Sequence, residues 1–225
     1  MPELPEVETI RRALAARLEG RRLLAVHARR RDLRIPLPAD FCRRLAGRRV
    51  SRVGRRAKYL LLTMDDGTVL LAHLGMSGRL VLGPDRASSA RPAHEHIVFE
   101  FEGGDVLSYQ DHRRFGLMAL AAAGELERHP LLRRLGPEPL SQAFDGNVLR
   151  SLLRGKRTSI KAALLDQRVV AGLGNIYACE ILHRAGVSPR RLAGAIGRKR
   201  VDRLARAVGD VLKEAIEAGG SSLRD

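Results

Sequence analysis

The sequence predicts an α+β protein: an N-terminal helix, a β-rich stretch to about residue 122, and an all-helical remainder. Three observations predict it. Apolar residues recur at three- and four-residue steps over the first twenty positions. From residue 22, short runs of Val, Leu, Ile and Phe alternate with turn signals. Beyond residue 141 the helical spacing returns.

The first helix rests on Leu4, Val7, Ile10, Leu14 and Leu18, with Gly20 as its stop. Strands are expected over Leu23–Ala28, Arg48–Val53, Tyr59–Met64, Val69–Leu74, Leu80–Leu82, Ile97–Phe101, Val106–Tyr109 and Leu117–Leu120. Asp66-Gly67 and Gly103-Gly104 supply hairpin turns between them. Many short strands at close spacing give a sandwich or a barrel. Residues 83–95 form a polar loop that is long for a hairpin connection. Pro130, Gly136, Pro137 and Pro139 mark a linker over 129–141. This divides the chain into a β-rich domain over 1–130 and a helical domain over 131–225. Helices are expected near 141–154, 159–166, 175–185 and 199–218. The last carries an apolar stripe of Val201, Leu204, Ala205, Val208, Val211, Leu212, Ala215 and Ile216.

The charge is the strongest compositional signal. The 225 residues include 41 Lys and Arg against 25 Asp and Glu, a net charge of +16. Arginine accounts for 36 of the 41. Genomic base composition explains a preference for Arg over Lys, but not an excess of base over acid. The excess is spread along the chain, with net +7 over residues 1–130 and +9 over 131–225, so it is no basic tail on a neutral body. A polyanionic partner follows, with nucleic acid first. No apolar run reaches the roughly 18 residues of a membrane span, and the acidic opening Met1-Pro2-Glu3-Leu4-Pro5-Glu6 is no secretory signal. Cys42 and Cys179 can build no disulfide framework, and no Cys-x-x-Cys pair is present to hold zinc. The reading is a soluble, cytoplasmic monomer with no membrane partner. A stacked-aromatic RNA module is disfavoured, because only 8 residues are Phe or Tyr and none is Trp.

Pro2 and Glu3 admit two readings. A proline near a helix start and a glutamate in its first turn suit a plain helix N-terminus. Removal of Met1 would instead free a secondary amine. Such an amine condenses with an aldehyde-level carbon to give a cationic iminium, an electron sink for elimination at the neighbouring carbon. Glu3 beside it would move protons.

Several blocks resemble the bacterial formamidopyrimidine-DNA glycosylase family. They are Met1-Pro2-Glu3-Leu4-Pro5-Glu6-Val7-Glu8-Thr9, Arg55-Arg56-Ala57-Lys58-Tyr59-Leu60-Leu61, His73-Leu74-Gly75-Met76-Ser77-Gly78 and Asp111-His112-Arg113-Arg114-Phe115-Gly116. The second half adds Leu135-Gly136-Pro137-Glu138-Pro139-Leu140, Ile160-Lys161 and Gly172-Leu173-Gly174-Asn175-Ile176-Tyr177. The blocks run in order over nearly the whole chain. The resemblance implies an N-terminal helix with a β-sandwich, then a helix–two-turns–helix domain. It implies a bifunctional glycosylase and abasic-site lyase that excises oxidised purines (8-oxoguanine, formamidopyrimidines) from double-stranded DNA in base excision repair. Pro2 is then the nucleophile, Glu3 the acid and Lys58 the lysine that assists β-elimination.

The resemblance also implies that Met76, Arg113 and Phe115 fill the space left by the extruded nucleotide, a task for a flexible filler, a hydrogen-bonding cation and a flat wedge. Met76 and Phe115 as ordinary core residues is the competing reading. Lys156, Asn175, His94 and Arg113 match DNA-binding positions. Gly-x-Gly-Asn at a helix start would present open N–H groups to a phosphate. His94 with His96 lacks the companions of a metal site. The family's base-capping loop and four-cysteine zinc finger have no counterpart before Asp225, so no cofactor is expected in this chain. Imine chemistry should survive that departure, while duplex affinity, lesion specificity and δ-elimination should suffer. The alternative is a non-catalytic DNA-binding protein of the same fold.

Overall fold

The computed structural model describes residues 2–84 and 92–220. The chain divides into two compact units. The first holds Pro2 and residues 7–129, the second residues 3–6 and 130 onward.

The first unit contains α1 (Leu4–Leu18) from its second turn on, β1 (Leu23–Ala28), α2 (Phe41–Leu45), β2 (Val50–Arg56), β3 (Tyr59–Met64), β4 (Thr68–His73), β5 (Arg79–Pro84), β6 (Glu95–Phe101), β7 (Asp105–Gln110) and β8 (Leu117–Ala122). All pairings are antiparallel, in two four-stranded sheets of order β1-β6-β7-β5 and β2-β3-β4-β8. One apolar core draws on both: Val26, Ile97, Phe99, Leu107 and Tyr109 from one sheet, Val53, Leu60, Leu62, Leu70 and Met118 from the other. The arrangement is a sandwich, which settles the choice between sandwich and barrel. Strand β3 turns one face to that core: Leu60, Leu62 and Met64 are buried in strict alternation with half-buried neighbours. Gly67, at φ +81°, and the Gly103-Gly104 pair, at +89° and +82°, close hairpins where the sequence placed them.

Strand β2 runs three residues beyond the expected Arg48–Val53. Its turn into β3 is Ala57-Lys58, with Arg56 paired to Tyr59. Ala57 sits at φ +52°, a conformation that glycine usually signals, and no glycine marks this turn. Helix α2 and the 3₁₀ turn Ala123–Arg128 were not expected; each is too short for a helical period to show.

The second unit contains α3 (Gly146–Leu153), α4 (Ile160–Leu165), α5 (Asn175–Arg184) and α6 (Arg198–Glu217). Helix α3 is shorter than the expected 141–154, because the Asp145 side chain accepts the Val148 N–H at 2.8 Å and sets the start. The stripe on α6 is buried as expected, with Ala215 only partly covered. Leu4 belongs to this helical core beside Tyr177 and Ile181. Among the described residues no helix is long and apolar enough to cross a membrane.

Leu4→Ala removes a fully buried side chain from the helical core and is expected to cost about 3 kcal/mol. Urea unfolding followed by helical circular dichroism checks it.

Candidate active site

Pro2 is half-buried, immediately ahead of a tightly held segment. Glu3 is only 2% exposed. Its carboxylate accepts the Gly174 N–H at 2.7 Å, the Ile176 N–H at 2.9 Å and the Tyr177 N–H at 3.3 Å. These are orphan donors at the start of α5, so Glu3 caps that helix from the far end of the chain. The helix start is therefore not an open phosphate cradle. Three of its N–H groups are already occupied, and a Cβ on Gly174 would collide with the Glu3 carboxylate. Asn175, the first helical residue, keeps an exposed side chain. Around Glu3, the Leu4 N–H donates to the Gly172 carbonyl at 3.1 Å. Glu6 accepts the Glu3 N–H at 2.9 Å and the Tyr177 hydroxyl at 2.6 Å. Glu6 and Tyr177 were not singled out from the sequence, and Gly174 was read only as part of a phosphate cradle. Their partners lie some 170 residues away.

Lys58 is 6% exposed, unusual for lysine, in the tight turn after β2. Arg55 fixes this turn. Its guanidinium donates to the Ala57 carbonyl at 2.9 Å and to Glu8 on α1 at 3.1 Å. Arg11 and Arg12 also donate to Glu8. Burial pushes the Glu8 carboxyl up, but these three arginines outweigh it and hold it below the usual range. His73, at the end of β4, packs its ring 4.9 Å from that of Tyr59. Burial, then the charges of Lys58 and Arg34, pull His73 down to about 4. Its Nδ1 accepts the Gly75 N–H at 3.0 Å, so the neutral ring carries its proton on Nε2.

The three proposed stack-filling residues lie on two adjacent loops of the first unit. Met76 is 46% exposed and Phe115 44%, so neither is a core residue. The Arg113 guanidinium stands 4.7 Å from the centre of the Phe115 ring. The loops touch backbone to backbone, since a Cβ on Gly75 would collide with Phe115 and Gly116. Between them lies Asp111, a residue of the quoted motif given no role there, which accepts from both. His94 is exposed at φ +60°, its carbonyl accepting the Asp111 N–H at 3.1 Å. Most of the polar loop ahead of it, residues 85–91, lies outside the described residues. Among the described residues no group of His, Cys, Asp and Glu could hold a metal ion.

Lys156 lies in the second unit, in the turn after α3. Its carbonyl accepts the Gly194 N–H at 3.0 Å. Next to this turn Arg150, Arg154 and Arg198 line an open pocket of about 800 Å³. The sequence offered no reason to single these arginines out from the others.

Two family models match: the formamidopyrimidine-DNA glycosylase N-terminal domain over residues 1–118, and the formamidopyrimidine-DNA glycosylase H2TH domain over 135–225. The chain belongs to the formamidopyrimidine-DNA glycosylase family. Relatives named formamidopyrimidine-DNA glycosylase include those of Rhodospirillum rubrum, 55% identical over all of this chain and 80% of the relative, and Methylocella silvestris, 53% identical over all of this chain and 82% of the relative. The fold matches the Lactococcus lactis formamidopyrimidine-DNA glycosylase non-covalently bound to DNA containing an abasic site. That match has a TM-score of 0.90 and 32% identity, over 98% of this chain and 84% of the other. A variant of that glycosylase in complex with a DNA containing Fapy-dG matches with a TM-score of 0.91 and 33% identity, over 100% and 82%.

Two outcomes are expected for this glycosylase-family site. The His73 ring should stay neutral down to about pH 5 in an NMR titration. Its folded pKa lies below the unfolded one, so the stability it gives is full above about pH 6.5 and is lost as pH falls toward 4. Arg55→Ala should cost about 3 kcal/mol in denaturant unfolding, because it leaves Glu8 short of a partner in a nearly buried pair.

Proposed function

We propose that the chain is a bifunctional DNA glycosylase and abasic-site lyase, acting on double-stranded DNA that carries oxidised purines such as 8-oxoguanine and formamidopyrimidines. The observation that carries this reading is the anchoring of Glu3, which fixes the residue next to Pro2 through three backbone hydrogen bonds. Once Met1 is removed, the Pro2 nitrogen is a secondary amine. Its lone pair attacks C1′ of the damaged nucleotide, and the glycosidic bond breaks with its electrons leaving on the base. The ring oxygen O4′ takes a proton from Glu3 as the sugar opens, and the amine loses its own proton to give a cationic iminium. Loss of a proton from C2′ then sends an electron pair toward the iminium, and the 3′ phosphate leaves. Lys58 assists that elimination.

The family membership supports a glycosylase, and the DNA in the matched Lactococcus lactis complexes supports the substrate. Met76, Arg113 and Phe115 would enter the stack as the nucleotide leaves it. Lys156, Asn175, His94 and Arg113 would hold the DNA. We place the catalytic domain at 1–130 and the helix–two-turns–helix domain at 131–225. The site as read uses the Pro2 amine and side chains with no cofactor, and the protein would work in the cytoplasm as a monomer.

Borohydride trapping on a duplex with an abasic site tests the mechanism. A covalent adduct is expected with wild type and much less of it with Pro2→Gly. Equal trapping by both would overturn the Pro2 mechanism, and binding without any adduct would favour a DNA-binding protein that does not cut. Affinity should fall with salt: with about six phosphates neutralised, log K against log salt should have a slope of about −5. Fluorescence anisotropy across a salt series checks this.

A further inference from the structure

Asp111 is 1% exposed and has no part in the chemistry above. Its carboxylate accepts the Ser77 hydroxyl at 2.5 Å on Oδ1, and the Tyr109 hydroxyl and the Gly116 N–H, each at 2.9 Å, on Oδ2. The Ser77 oxygen in turn accepts the Arg113 N–H at 3.3 Å. One side of this network is the Met76 turn and the other is the loop of Arg113 and Phe115. The backbone of Asp111 is itself tied down, since its carbonyl accepts from His96 Nε2 at 2.7 Å.

The Tyr109 hydroxyl completes the joint. A Cβ on Gly116 would overlap it, and a Cβ on Gly78 would lie 2.9 Å from it. Each loop thus leaves out a side chain at the place where the same hydroxyl enters. Arg114 adopts φ +57°, a conformation unfavourable for arginine, in the loop that the Gly116 N–H ties to Asp111. A buried carboxylate with three donors is costly to leave partly unpaired, so both loops gain by keeping their places together.

We propose that Asp111 is a positioning residue: with Ser77 and Tyr109 it joins the Met76 turn and the Arg113–Phe115 loop into one rigid DNA-probing element. The two loops then enter the duplex as a unit. This deepens the reading of Met76, Arg113 and Phe115 as stack-filling residues and rests on it. Stiffness has a physical reason here. A side chain wedged between base pairs must resist the cost of unstacking, a few kcal/mol per step, and a loop that yields separately cannot.

The test uses a duplex with 2-aminopurine opposite an abasic site. Stopped-flow fluorescence reports the change in stacking as the probing side chains enter. Ser77→Ala and Tyr109→Phe cut the bridge at different points, and Asp111→Asn alters its hub. Each should slow the fluorescence phase about tenfold, the scale set by slight misplacement of working groups. Ser77→Thr, which keeps the hydroxyl, should retain the wild-type rate. Adding Ser77→Ala to Met76→Ala should cost less than the product of the two separate losses, because both act through one element. An unchanged fluorescence phase in Ser77→Ala and Tyr109→Phe, or losses that simply multiply, would overturn the proposal. Thermal melts of the same variants check that they are folded, and if Asp111→Asn is not, the other two decide. Borohydride trapping keeps the two readings apart. A wild type that gives the fluorescence phase but no adduct sinks the lyase mechanism and leaves this joint standing. An adduct with bridge variants that probe as fast as wild type does the reverse.

Discussion

A segment at a chain end frays unless packing and hydrogen bonds hold it. The capping of α5 by Glu3 answers that constraint. Three peptide N–H groups converge on one carboxylate, Leu4 follows into the helical core, and Glu6 bonds back to the Glu3 N–H while receiving the Tyr177 hydroxyl. Residues 3–6 are thereby packed as part of the helical unit although they precede the sandwich in sequence. Pro2 is left as the short segment ahead of an anchored residue.

The same economy of charge runs through the first unit. Many of the arginines behind the net charge of +16 are engaged internally. Arg11, Arg12 and Arg55 surround Glu8, Arg17 meets Asp105 at 2.6 Å, and Arg29 meets Glu95 at 2.9 Å. Ion pairs that stay open to water contribute little stability. The Glu8 group differs in being nearly buried and in reaching the turn that carries Lys58. Arg113, Arg150 and Arg154 are among the exposed arginines whose charge is available to a polyanion.

Local features were legible in the sequence wherever a residue type and its structural role coincide. Strands β1 and β3 have the bounds expected from their apolar runs, and the glycine turns fall in place because only glycine takes those angles cheaply. Helix α6 shows its stripe because seven buried positions keep the helical period. The turn at Ala57 was illegible, since an alanine there gives no hint of a positive φ. The helix start after Gly174 was read as open because its blocking group, Glu3, lies 171 residues away. Asp111 was visible as a residue in a motif but not as a joint, because Ser77 lies 34 residues before it in sequence. Sequence spacing reports neighbours along an element; it does not report which distant carboxylate will satisfy which donor.

The joint at Asp111 also separates what is free to vary from what is not. Met76, Arg113 and Phe115 project outward, while Ser77, Tyr109, Asp111, Gly78 and Gly116 form the footing beneath them. A change at an exposed tip leaves the footing intact. A change in the footing requires several others at once, because the hydroxyl of one ring fills the space left by two glycines. The tips are therefore open to redesign one residue at a time, as interchangeable bits are on a common shank, without rebuilding the sandwich.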